Sequence, residues 1–83
     1  MNKNLDKNLF STNSLGLASG LQYFGLKIEK FDRTFPSKII FFFNRSPKLE
    51  KIKNNFLIGN LKVEPKKYLD EIKKIKSIIY ENL

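Results

Sequence analysis

Five apolar residues stand in an unbroken row, Ile39-Ile40-Phe41-Phe42-Phe43, between Lys38 and Asn44. No other stretch of the chain constrains the fold so strongly. A short apolar run rich in β-branched and aromatic side chains reads as a strand. Side chains alternate across a strand, so Ile39, Phe41 and Phe43 point one way and Ile40 and Phe42 the other. Both sets are apolar, which predicts a central strand, covered on both faces if the pattern is taken literally. The chain has 83 residues, 41% of them apolar and eight of them Phe. A chain this short buries only about 60% of its extended surface, so this material must go into one core. Residues 1–8 are polar and aperiodic and read as a loose tail, leaving a single domain over 9–83.

The other elements follow from caps, stops and periodicity. Leu9 to Thr12 is a candidate first strand. Thr12-Asn13-Ser14 offers N-cap side chains, and Leu17, Leu21 and Phe24 then recur on one helical face up to Gly25, a residue suited to a left-handed C-terminal stop. Gly16, Ala18, Ser19 and Gly20 weaken this helix intrinsically. Their small size fits a helix packed closely on a sheet. Leu26 to Phe31 alternates like a strand, with a turn over 32–37. Ser46-Pro47 starts a second helix with Leu49, Ile52 and Phe56 inward, ended at Gly59-Asn60. Leu61-Lys62-Val63 is a fourth strand or an ordered loop. Pro65 opens a last helix, on which Tyr68, Ile72, Ile75, Ile79 and Leu83 recur at helical spacing.

The expected fold class is therefore α+β: a small antiparallel sheet of 2–4 strands with three helices, in the order βαββα(β)α. With the bracketed strand, the order matches a ferredoxin-like plan with an added C-terminal helix. Without it, a smaller sheet carries the same three helices.

Several chemistries are excluded by residue type. The chain has no Cys and no His. The usual zinc sites, disulfides, and Cys- or His-based nucleophile pairs all need those residues. Gly16 and Gly20 stand outside any dinucleotide or P-loop pattern and read as packing residues. The carboxylates at Asp70 and Glu71 fall on the polar side of the last helix, where Asp70 with Lys74 is a favourable surface pair. No catalytic residue, metal ligand or cofactor is expected, and the protein reads as a non-enzyme. Five apolar residues in a row are too few for a signal sequence or for the roughly 20 of a membrane span. No membrane insertion and a cytoplasmic location are expected.

The net charge is +8, from sixteen basic and eight acidic residues. Such a balance favours polyanions. A compositional account stands beside it: fourteen of the sixteen are Lys, and Lys, Asn, Ile and Phe share A/T-rich codons. Lys48, Lys51 and Lys53 fall on the second helix. On the last helix, Lys66 and Lys73 share an exposed face with Ser77, and Lys76 and Tyr80 border the apolar side. The Phe run framed by Lys38 and Arg45 has a base-stacking reading, but the core needs most of these rings, so it is read chiefly as core.

The order of residues resembles a family of small prokaryotic proteins, the domain of unknown function numbered 5659. The resemblance rests on Phe10, Thr12, Leu17-Ala18, Gly25, Ile40 to Phe43, Ser46-Pro47, Phe56, Gly59, Leu61 to Pro65, Tyr68, Ile75-Lys76 and Ile79-Tyr80. These are fold-determining positions over about residues 9–81. The resemblance implies a common fold and carries no activity or site. The expected function is a small, basic, non-enzymatic accessory protein. It would bind DNA or RNA through Lys-rich helical faces, at Lys48, Lys51, Lys66, Lys73 and Lys76, with little sequence specificity. The alternative is a protein–protein adaptor or small regulatory protein whose basicity is incidental.

Overall fold

A computed structural model describes residues 8–35 and 38–81, with the side chains of 34 and 35 left aside. The tail read over 1–8 lies outside these residues except for Asn8, whose carbonyl accepts a 2.9 Å hydrogen bond from the Arg45 N–H. The described elements run β1 (Leu9–Thr12), α1 (Leu15–Tyr23), β2 (Lys30–Phe35), β3 (Lys38–Asn44), α2 (Pro47–Leu57) and α3 (Pro65–Glu81). The fold is α+β, with three helices and a three-stranded antiparallel sheet in the order β1-β3-β2 among the described residues.

The caps are the ones the sequence offers. Ser14 Oγ accepts from the Leu17 N–H at 3.0 Å and Ser46 Oγ from the Leu49 N–H at 3.0 Å. Each satisfies an orphan donor of the first helical turn. Glu64 does the same for α3, accepting from the Lys67 N–H at 2.8 Å, and places negative charge at the positive end of the helix dipole. Gly25, at φ +96°, lets the chain leave α1 in a left-handed turn.

The row at 39–43 is the central strand, as expected, but among the described residues it is covered on one face only. Phe41 and Phe43 are buried at 2% and 0% exposure. Ile39 packs against the same core, as does Phe10, the partner of Phe43 on β1. Ile40 and Phe42 are half-buried on the other side. Their lateral neighbours there, Ser11, Lys30 and Asp32, are exposed.

Two further expectations are corrected. The strand expected over Leu26 to Phe31 lies later, at Lys30–Phe35. Leu26 is held by its N–H to the Leu21 carbonyl at 3.1 Å, as part of the end of α1. Leu26 and Ile28 pack on the core from a connector. Asp32 to Phe35, expected as turn, belong to β2, and Pro36-Ser37 lies outside the described residues. Of the two readings of Leu61 to Val63, strand or ordered loop, the loop is the one found: 61–64 has no regular structure. Leu61 instead packs against the core cluster, its Cδ2 only 3.2 Å from where a Cβ on Gly20 would sit. The fourth strand of a ferredoxin-like plan is therefore missing.

All three helices contribute to one core on the covered face: Leu17, Ala18 and Leu21 from α1, Leu49 and Ile52 from α2, and Ile75 from α3. The close approach allowed by the small residues of α1 is to the other helices and the connector rather than to the sheet: a Cβ on Gly16 would meet Phe56 and Tyr68, and one on Gly20 would meet Leu61. α3 is tied to it by Tyr68 Oη donating to the Gly16 carbonyl at 2.8 Å and by Gln22 Nε2 donating to Glu71 at 3.0 Å. At its far end, Arg33 on β2 donates to the Ile79 carbonyl at 2.8 Å, a cation at the negative end of the α3 dipole.

Ser19 is fully buried and its hydroxyl has no hydrogen-bond partner among the described residues. A buried unsatisfied hydroxyl costs stability, and Ala is the better helix former. Ser19→Ala should therefore raise stability by about 1 kcal/mol. An unchanged or lower urea midpoint would show that the hydroxyl is satisfied.

Candidate nucleic-acid interface

The α3 lysines come first because the helix fixes them best. Seventeen residues from Pro65 to Glu81 form one helix. Its buried side is set by Ile75, with Tyr68, Ile72 and Ile79 partly buried beside it. At about 100° per residue, Lys66 and Lys73 then fall on the opposite side and Lys76 about a quarter-turn from Ile75, and all three are exposed. Leu69 and Tyr80 interleave with them at 55% and 66% exposure. Tyr80 thus stands out in solvent, while Lys76, beside the partly buried Ile72 and Ile79 on the helix surface, is exposed at the apolar border as expected. The outward face is a basic row, about 15 Å long from Lys66 to Lys76, with a phenol ring near its end.

The charges on this row are not spent on ion pairs. The ion pairs among the described residues are Arg45–Glu50 at 3.1 Å, Lys53–Glu50 at 2.8 Å and Lys74–Glu71 at 3.2 Å. Lys74 therefore pairs with Glu71 and not with Asp70. Asp70, four residues after Lys66 and three before Lys73, pairs with neither. Glu71 is withdrawn from the lysine row. Its carboxyl is held below the usual carboxylate range, first by the hydrogen bond from Gln22 and then by Lys74, against the opposing effect of desolvation. A depressed carboxyl stabilises the fold above its unfolded pKa and loses that contribution as pH falls through its folded pKa. At neutral pH Glu71 is an anion engaged with α1.

Lys48 and Lys51 form a second group, on α2. They line a groove of about 280 Å³ with Phe24, Ile52, Asn55 and Leu61. Lys48 leans over the end of α1, its Nζ 3.8 Å from where a Cβ on Gly25 would sit. Neither lysine joins an ion pair among the described residues. The expected site residues are thus not one patch. α2 lies by β1, where Lys53 and Arg45 sit over the Phe10 ring at 5.4 and 5.7 Å. α3 lies by β2, through Arg33. Lys48 and Lys51 go with the first, and Lys66, Lys73 and Lys76 with the second.

Sequence reading passed over Lys30, whose Nζ lies 4.9 Å from the Phe42 ring centroid on the open sheet face. The strand expected over Leu26 to Phe31 puts Lys30 on the same side as Leu26 and Ile28, whereas β2 puts it beside Phe42 on the open face. Lys30 and Lys38 share that surroundings with Asp32 and with Glu29, which accepts from Asn44 at 3.0 Å. The open sheet face is therefore close to charge-neutral, in contrast to the α3 row.

The architecture defines a class before it defines a member: a two-layer α+β domain with a one-sided sheet and a basic outer helix. A family model matches residues 7–81, described as Domain of unknown function (DUF5659), and the chain belongs to that family. Searches of curated proteins and of solved structures give no match. No helix among the described residues is long and apolar enough to cross a membrane.

Proposed function

We propose that the protein binds nucleic acid through phosphate contacts from the exposed face of α3, with little sequence specificity. One observation carries the reading: Lys66, Lys73 and Lys76 stand exposed within about 80° of one another around α3, and no carboxylate among the described residues pairs with them. Lysines in this setting contact phosphates as point charges and do not read bases. Tyr80 adds a sequence-tolerant stacking surface at the end of the row.

Salt dependence tests it. Each phosphate contact releases counterions, so log affinity falls with log salt by about 0.7 per contact on a single strand and about 0.9 on a duplex. Replacing Lys66, Lys73 and Lys76 together with Gln should flatten the slope by about 2 on a single strand, with unchanged circular dichroism. Lys3, Lys7 and Lys27 replaced with Gln make a charge-matched control. Equal weakening by both triple variants would mean that net charge acts without a site.

A second reading has its own observation. Leu57 and Ile58, at the end of α2, are 68% and 72% exposed side by side. Adjacent exposed apolar residues of this size favour a protein partner. If the wild-type chain binds neither DNA nor RNA at low salt, the adaptor reading replaces the first.

A further inference from the structure

We infer that the groove between the end of α1 and α2 accepts one unpaired base of a single-stranded nucleic acid, with Lys48 and Lys51 on the flanking phosphates. This rests on the nucleic-acid reading above and goes beyond it by naming the strand state and a second contact site.

The groove has the composition such an occupant needs. Its floor is apolar: Phe24, Ile52 and Leu61. An aromatic ring in an apolar floor offers a face for base stacking, which every base satisfies. Its volume, about 280 Å³, lies below the range typical of drug-sized ligands, roughly 300–1,000 Å³, and suits a single planar ring system. Asn55, half-buried in the wall, carries an amide that both donates and accepts, the side chain suited to a base edge. The lining holds two lysines and no carboxylate. Glu50, on the same helix, is turned to Arg45 and Lys53 at 3.1 and 2.8 Å. The groove thus presents two unopposed positive charges beside an apolar floor, which is complementary to a base with its phosphates. The open sheet face offers a ring with neutral surroundings and is the weaker stacking site.

The strand state follows from geometry. In a duplex the base faces are stacked on their neighbours and closed to an apolar floor, and extruding one costs a few kcal/mol. A flexible single strand presents its bases at no such cost. The α3 row does not discriminate in this way, since phosphates are available on both.

The test uses the full chain, a ten-nucleotide oligo-dT and a blunt ten-base-pair duplex, in titrations followed by fluorescence anisotropy and by NMR. Oligo-dT should shift the methyl resonances of Ile52 and Leu61 and the side-chain amide of Asn55, and the duplex should leave them in place. Phe24→Leu should weaken oligo-dT binding about tenfold, the equivalent of one lost stacking contact, and leave duplex binding unchanged. Should Phe24→Leu not fold, Asn55→Ala takes its place with the same selective loss expected, and the pair Lys48→Gln with Lys51→Gln should weaken oligo-dT binding more than duplex binding. Binding whose resonance shifts are confined to α3, with affinity unmoved by these variants, overturns the groove and leaves the α3 reading standing. No binding of either oligomer at low salt overturns both.

Discussion

Replacing Phe43 with Ala should cost roughly 3–5 kcal/mol, while the same change at Phe42, one residue away, should cost clearly less than half as much. The two rings have the same chemistry and the same strand. They differ in what they face. Phe43 is 0% exposed within the helix-covered core, so its removal loses the transfer free energy of a ring and leaves a cavity between β3 and the helices. Phe42 is half-buried on the open face with the Lys30 ammonium over it, so truncation there loses partial burial and one exposed cation–π contact, about 0.5–1 kcal/mol. Small domains have about 5–15 kcal/mol in total. Phe43→Ala should therefore lower the urea midpoint severely, and Phe42→Ala only modestly. Equal midpoints for the two variants would mean that the second sheet face is covered in solution.

Ile75→Ala should have the next largest effect, about 2–5 kcal/mol, and it should act on one helix first. Ile75 is the one fully buried side chain described on α3. Around it the helix is held by partly buried residues and by three hydrogen bonds from Tyr68, Gln22 and Arg33. An element with one deep anchor is a natural unit of local opening. Amide exchange along α3 should rise in Ile75→Ala before exchange in α1 does. If α1 and α3 lose protection together, the two helices open only with the whole domain.

The elements legible in the sequence are those whose signals are local. Ser14 and Ser46 cap their helices, Gly25 ends one, and the apolar row at 39–43 forms the central strand, because each depends on near neighbours. β2 was misplaced because its inward side is not apolar throughout. Phe31 faces the core side opposite Phe41, but the next inward position is Arg33, whose guanidinium serves the end of α3. That partner is 46 residues away, so the alternation of Leu26 and Ile28 read as the better strand. The sequence leaves Leu61 to Val63 open between strand and loop for a related reason. Leu61 is apolar because Gly20 leaves room for it, not because it alternates across a sheet. For the candidate site, the exposure of Lys66 and Lys73 is readable from helical period alone, which puts Lys76 at the apolar border. That Lys48 and Lys51 border an apolar groove was not, since Phe24 and Leu61 come from two other parts of the chain.

With no strand beyond β1, the sheet has two outer strands whose outer backbone groups lack a strand partner among the described residues. Such edges template pairing between copies and lead to aggregation. This chain blunts both. β1 is only four residues long, too short to offer a continuous template. In β2, the three-residue step from Asp32 to Phe35 is matched by a two-residue step from Ile40 to Lys38. That extra residue is a bulge, which bends and twists the edge away from a flat approach. Lys30 and Asp32 add exposed charges along it. The irregularity that blurs β2 in the sequence thus leaves this unclosed sheet a poor edge for a second one to pair with.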